Sequence, residues 1–114
     1  MSTTETGKKA EAAAGAYLEM RGYTIMELNY RRPHCEIDII AGKAGVIYFV
    51  EVRYRYDYSQ GGGLETITAS KLRHMQRAAE TWVKETKWRG EYSLAAIELA
   101  GPQFSIMSFI DNVF

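Results

Sequence analysis

Apolar residues recur every three to four positions near the start of the chain, which is the spacing of one face of an α-helix. The predicted helix covers 5–21, with Ala10, Ala14 and Leu18 on this face and Gly22 as a stop signal after it. Most residues on the face are alanines. Because small side chains let a helix axis approach its neighbour closely, we expect this helix to pack flat across a sheet.

Three segments rich in β-branched and aromatic residues follow, over 23–30, 36–41 and 46–56. Gly42 and Gly45 mark a turn between the second and the third segment. Because short connections join antiparallel neighbours, these segments predict an antiparallel meander. The glycine-rich stretch SQGGG that comes next, at 59–63, predicts a loop.

A second amphipathic pattern covers 69–87 and predicts another helix. The residues of its apolar face, which we expect in the core, are Leu72, Met75, Ala79 and Trp82. Two more strands, over 91–100 and 103–110, are separated by the turn signal Gly101-Pro102. A helix between two strands favours a parallel crossover. The chain is therefore predicted to be an α/β protein with a mixed central sheet flanked by helices.

The composition fits one folded domain, spanning 1–114. With 114 residues, of which 46% are hydrophobic and 25% charged, the chain can bury a real core, and global disorder is excluded. The 14 basic and 14 acidic residues give a formal charge of zero. A strongly basic, histone-like protein is therefore excluded, and any site for a polyanion must come from local clustering of cations.

The cysteine count and the hydropathy of the chain bear on its cellular compartment. A single cysteine, Cys35, and two histidines exclude an internal disulfide and a four-ligand zinc site. We therefore expect a cytoplasmic protein in which Cys35 has a packing role. No apolar run approaches the roughly 20 residues that cross a bilayer, and the N-terminus lacks the apolar core of a signal peptide, so we expect no membrane association.

Charged residues interrupt two of the apolar strands. Glu36 and Asp38 lie in CEIDIIAG, and Glu51 and Arg53 lie in VIYFVEVRYRY. An unpaired carboxylate inside an apolar strand is costly, so these residues are candidates for a functional site. Side chains alternate along a strand, so each pair shares one face. If Asp38 lies opposite Phe49 or Glu51, all four side chains point the same way, whereas a one-residue shift separates them.

Two carboxylates held side by side raise each other's pKa unless a cation lies between them. Mg²⁺ is bound by a few carboxylate oxygens and water, leaving room for a phosphate oxygen, and such an ion can activate water at a phosphodiester. Asp38 and Glu51 therefore predict a site for Mg²⁺ or Mn²⁺, which need not be filled before substrate binds. The alternative is that Glu51 and Arg53 merely edge the sheet and pair with exposed partners.

Asp38 followed after a hairpin by Glu51-Val52-Arg53 resembles the PD-(D/E)xK nuclease signature, in which an Asp and a Glu bind metal and a Lys follows. More closely, the chain resembles the YraN family of small bacterial endonuclease-like proteins, which are similar to archaeal Holliday-junction resolvases. The matching segments are Gly7-Lys8-Lys9-Ala10-Glu11, Tyr17-Leu18, Arg21-Gly22-Tyr23, Asn29-Tyr30-Arg31, Glu36-Ile37-Asp38-Ile39-Ile40-Ala41, Phe49-Val50-Glu51-Val52-Arg53, Thr68, Lys71 and Asn112-Val113-Phe114. The resemblance implies a restriction-endonuclease-like core.

The resemblance also implies roles for individual residues. Asp38 and Glu51 would bind the metal, with the backbone carbonyl of Val52 as a third ligand. Glu11 matches an acid that resolvase-like members direct at the same site from the first helix. A solvated glutamate on that helix is the alternative for Glu11.

Arg53 departs from the family pattern because it stands where the catalytic lysine is expected. A guanidinium stays protonated and cannot take a proton from water. Arg53 can still bind the scissile phosphate and stabilise the transition state. Water activation would then fall to the metal alone, or to Lys71 if the second helix delivers it. We therefore predict weak or absent nuclease activity relative to relatives that keep the lysine.

Positive charge is concentrated around the second helix, where residues 68–90 contain six cations and two acids. Lys71, Arg73 and Arg77 are candidate phosphate contacts, and the two arginines are one helical turn apart. A solvated helix face is the alternative. Arg55 is a further candidate, because it lies in a run that interleaves cations with tyrosines, as nucleic-acid sites do.

The tyrosines of that run, Tyr54, Tyr56 and Tyr58, occupy every second position and therefore share one face of the strand. They predict either a homodimer surface or packing under the glycine-rich loop. Three interpretations of function therefore stay open. The first is a metal-dependent endonuclease acting on DNA, including branched DNA. The others are a catalytically inactive nucleic-acid-binding module of the same fold and a structural or adaptor homodimer.

Overall fold

The computed structural model describes residues 3–56 and 67–113. The elements follow the predicted order and are α1 (Thr3–Met20), β1 (Thr24–Arg32), β2 (Cys35–Lys43), β3 (Val46–Arg55), α2 (Ala69–Thr86), β4 (Glu91–Ala100) and β5 (Ser105–Ile110). The loop predicted at 59–63 and Tyr58 lie outside the described residues.

Helix α1 lies flat against one face of the sheet, as its alanine-rich face predicts. Ala10, Ala14 and Leu18 are buried, and the helix contacts all five strands. The stop signal after the helix is confirmed, because Gly22 adopts a φ of 90°, which side chains with a Cβ rarely tolerate.

The five strands form one mixed sheet in the order β1-β2-β3-β4-β5. Strands β1, β2 and β3 form the predicted antiparallel meander, β3 and β4 are parallel, and β5 returns antiparallel to β4. The predicted parallel crossover is thus confirmed, with α2 as its connecting helix. The fold is α/β, with a mixed sheet between two helices.

Helix α2 covers the opposite face of the sheet. Its first turn is capped by Thr68, whose hydroxyl accepts a hydrogen bond from the amide N–H of Lys71 at 3.1 Å. Met75, Ala79 and Trp82 are buried as predicted, and the Trp82 ring meets Phe49 edge to face with centroids 5.6 Å apart.

Cys35 is a buried free cysteine at the start of β2, which agrees with a packing role. Over 3–56 and 67–113 the structure contains no helix long and apolar enough to cross a membrane.

Candidate functional site

The two acids singled out from the sequence, Asp38 and Glu51, converge where β2 and β3 separate. Ile39 pairs with Val50, and one further step of this register sets Asp38 opposite Glu51, which is one of the two predicted arrangements. The backbone pairing stops at this point, and the Asp38 carboxylate instead accepts the amide N–H of Val52 at 2.8 Å. A side chain thus replaces a strand partner, and it fixes the Asp38 carboxylate next to Glu51.

Glu51 carries the clearest electrostatic signature of the site. Its side chain is only 16% exposed. Burial, and after it the negative charge of Asp38, raises the pKa of Glu51 to about 7, while Lys71 opposes the shift. The carboxylate is therefore in an environment that disfavours its charge, and a further cation would relieve this.

Lys71 reaches the acid pair from helix α2. Its ammonium nitrogen lies 3.2 Å from a carboxylate oxygen of Glu51. The sequence made Lys71 a candidate both for phosphate binding and for activating water, and both roles stay predictions; the structure brings Lys71 next to the acid pair.

Glu11 approaches Asp38 from the other side of the sheet. The side chain is half-buried, and burial followed by the charge of Asp38 raises its pKa, whereas a hydrogen bond from Asn29 lowers it. Asn29 has a φ of 53° on strand β1, a left-handed conformation that asparagine tolerates better than most residues. Glu11 is therefore close enough to Asp38 to feel its charge, and its role in the site stays a prediction.

Strand β3 carries the two arginines of the site region. Arg53 is half-buried on the same face as Glu51 and is in register with Glu98 of the parallel strand β4. Arg55 forms an ion pair with Glu98 at 3.7 Å, with side chains 26% and 13% exposed. Nucleic-acid binding by Arg55 stays a prediction, because this side chain already has a structural partner.

Sequence reasoning passed over Glu98. The available signal was the one that singled out Asp38, a charged residue inside an apolar strand. Its partner could not be identified before the register of the parallel pair was known.

Arg73 and Arg77 do not join this site. At 100° per residue they lie roughly 200° and 240° around α2 from Lys71, and both side chains are exposed. They remain candidate phosphate contacts on the outer face of the helix, separate from the acid pair.

The donor set determines which metal the site could hold. Among the described residues, no group of three or more His, Cys, Asp and Glu side chains is gathered closely enough for a metal. That argues against a cage made of protein side chains alone. Mg²⁺ commonly uses one or two carboxylates together with water and substrate phosphate, so Asp38 and Glu51 fit this ion. The structure engages the amide of Val52, and its carbonyl as a third ligand stays a prediction.

Comparison with known proteins identifies similar sequences over the same region. The model of the uncharacterised protein family UPF0102 matches residues 10–108, which include Glu11, Asp38, Glu51 and Lys71. A UPF0102 protein of Sulfurihydrogenibium is 38% identical over 100% of this chain and 97% of its own length.

Two further UPF0102 proteins show how the coverage varies. The protein of Cytophaga hutchinsonii is 32% identical over 93% of this chain and 94% of its own length. That of Chlorobium chlorochromatii is 43% identical over 72% of this chain, and the match spans only 64% of the relative's length.

Proposed function

This chain belongs to the UPF0102 family, also called the YraN family, and we propose that it is a weak, divalent-cation-dependent DNA endonuclease. One observation carries the proposal, namely the convergence of Asp38 and Glu51 at the separation of β2 and β3. The order of helices and strands supports a restriction-endonuclease-like core, in which this position suits the reacting phosphate.

The chemistry of the acid pair supports a divalent cation. Asp38 and Glu51 would hold Mg²⁺ or Mn²⁺, with the Val52 carbonyl as a third ligand and Glu11 directed at the same place. When bound, such an ion polarises a phosphodiester and lowers the pKa of a coordinated water. The buried position of Glu51 keeps bulk water away, which strengthens every electrostatic interaction there.

Arg53 and Lys71 together would take the roles that a single lysine has in the family signature. Arg53 stays protonated, so it binds phosphate oxygens and stabilises negative charge in the transition state without taking a proton. Lys71, with its ammonium 3.2 Å from Glu51, would donate a hydrogen bond to the attacking water or to the phosphate. Neither contact supplies a strong base on the protein, which is the reason for expecting slow cutting.

The second candidate is an inactive nucleic-acid-binding module, and Arg53 is the observation that favours it. The adaptor homodimer has less support. Tyr54 stacks on Phe104 at 4.8 Å and donates its hydroxyl hydrogen to the carbonyl of Gly101, so it packs against its own chain. Tyr56 is 77% exposed, so among the described tyrosines of the run it is the one that could form a homodimer surface.

The test is incubation with branched, flapped and linear DNA in Mn²⁺ at low salt. We expect slow cutting by the wild type, at least a hundredfold loss in Asp38→Ala, and about a tenfold gain in Arg53→Lys, in keeping with the size of metal-ligand and acid-base effects. Arg89→Lys is the matched control, because it makes the same change at an exposed arginine that precedes β4, away from the acid pair. It should leave the cutting rate within about twofold of wild type.

The outcomes separate the candidates. If the wild type binds DNA and never cuts, while Arg53→Lys cuts, the inactive module replaces the endonuclease. If neither binding nor cutting occurs, both nucleic-acid functions are wrong. Equal gains in Arg53→Lys and Arg89→Lys would remove the specific role of position 53.

A further inference from the structure

A cleft of about 360 Å³ lies between the β1–β2 turn and the first half of α2. The side chains that line it include Arg31, Arg32, His34, Glu36, Lys71 and His74. Three permanent cations and two imidazoles thus face one carboxylate. A larger cleft of about 550 Å³ offers the opposite chemistry, because it is lined by Glu91 and Asp111 and by no lysine or arginine.

His34 occupies a strained position at this cleft. Arg32 pairs with Cys35, so Pro33 and His34 form a two-residue turn, in which His34 has a φ of 69°. Glycine normally fills such a position, because a Cβ is crowded against the backbone there. Within the described part of the chain the side chains of His34 and His74 make no hydrogen bond, so both imidazoles are available to a ligand.

Arg32 is held in place before any ligand arrives. Its Nε donates to Glu85 at 2.7 Å, one terminal nitrogen donates to the carbonyl oxygen of Arg31 at 2.7 Å, and the guanidinium lies 4.4 Å from the centre of the Tyr30 ring. These hydrogen bonds use two of the five N–H groups of an arginine. The remaining donors are preorganised, which lowers the entropic cost of binding an anion.

Arg31 is the more adaptable cation of the cleft. It pairs with Glu36 at 3.5 Å, but the two side chains are 72% and 58% exposed. An ion pair this exposed contributes little, so a phosphate can displace Glu36 from Arg31 at low cost.

We propose that this cleft binds a backbone phosphate of nucleic acid, next to the phosphate that reaches Asp38 and Glu51. Lys71 connects the two places, because it lines the cleft while its ammonium contacts Glu51. The claim that the bound phosphate is the neighbour of the reacting phosphate rests on the proposed endonuclease function. The anion-binding chemistry of the cleft does not depend on cutting.

The chain contains two histidines, so their imidazole proton resonances report on the cleft directly. The experiment titrates metal-free protein in EDTA with a short thymidine oligonucleotide, with inorganic phosphate as a separate arm. Arg31→Gln is the test variant. Arg89→Gln is the matched control, because Arg89 is exposed and precedes β4, at the other end of the sheet.

We expect the oligonucleotide to shift both imidazole resonances. Arg31→Gln should weaken binding about fivefold and reduce the slope of log affinity against log salt by about 0.7, as for one lost contact to a single strand. Arg89→Gln should change neither value.

Three results would overturn the proposal. They are oligonucleotide binding without movement of the imidazole resonances, equal losses in Arg31→Gln and Arg89→Gln, and inorganic phosphate acting as strongly as the oligonucleotide at the same concentration. The cutting assay in Mn²⁺ is independent of these results. Imidazole shifts without cutting would contradict the endonuclease alone, and cutting without imidazole shifts would contradict the cleft alone.

Discussion

Two pairs of charged side chains interrupt the sheet, one made of like charges and the other of opposite charges. Asp38 and Glu51 bring two acids together between β2 and β3, whereas Arg55 and Glu98 bring opposite charges together at 3.7 Å between β3 and β4. The opposite pair is compensated within the protein. The acid pair is only partly compensated by Lys71, and the pKa of Glu51 is raised to about 7. An external cation would relieve this repulsion, which is the basis of the proposed metal site.

The largest expected contrast between the two pairs is their response to a divalent cation. A ligand at a hundredfold excess over its Kd stabilises the folded state by about 2.7 kcal/mol. We therefore expect Mn²⁺ to raise the thermal midpoint of the wild type and of Glu98→Gln, and to have little effect on Glu51→Gln. Thermal unfolding followed by circular dichroism in Mn²⁺ and in EDTA measures this. If Mn²⁺ raised the thermal midpoint of Glu51→Gln as much as that of the wild type, the cation would bind elsewhere.

The second contrast is the dependence of stability on pH in metal-free protein. The folded pKa of Glu51, about 7, exceeds the ordinary glutamate value of 4.5, so between these values the folded state holds a proton that the unfolded state has lost. Stability from this group is therefore present at low pH and is lost as the pH rises from about 4.5 through 7.

We expect a loss of about 2 kcal/mol over this window, somewhat below the full linkage value because the side chain keeps some contact with solvent. Urea unfolding in EDTA at several pH values tests this expectation. The loss should persist in Glu98→Gln and disappear in Glu51→Gln. An equal pH dependence in Glu51→Gln would assign the titration to another group.

The smallest contrast is the effect of removing one charge from each pair at pH 8 without metal. Glu51→Gln removes a buried, repelled charge and should stabilise the protein by about 1 kcal/mol. Glu98→Gln leaves Arg55 without its carboxylate and should destabilise by about 1 kcal/mol, less than for a fully buried pair. Changes of the same sign in urea unfolding would show that the two pairs do not differ as described.

The sequence was sufficient for the elements and for the acid pair, because both follow from periodicity. Side chains alternate along each strand, so Asp38 and Glu51 share one face when Asp38 lies opposite Phe49 or Glu51. A shift of this pairing by one residue would have exposed the apolar side chains around them. The face of α2 that holds Met75 and Trp82 was predicted for the same reason.

Other features depend on distant parts of the chain. The separation of β2 and β3 at Asp38 rests on a side chain replacing a backbone partner, and Asn29 adopts a left-handed conformation within β1. Neither has a periodic signal. The partner of Arg55 required the register of β3 with β4, which are joined through α2.

The position of a bound cation is the most direct test of the acid pair as a metal site. Mn²⁺ broadens NMR signals of nearby nuclei, so a substoichiometric titration of labelled protein locates the ion. We predict that the amide signal of Val52, which donates to Asp38, disappears first in the wild type and persists in Glu51→Gln. Earlier loss of the Glu91 amide, beside the acidic cleft that also includes Asp111, would contradict the account.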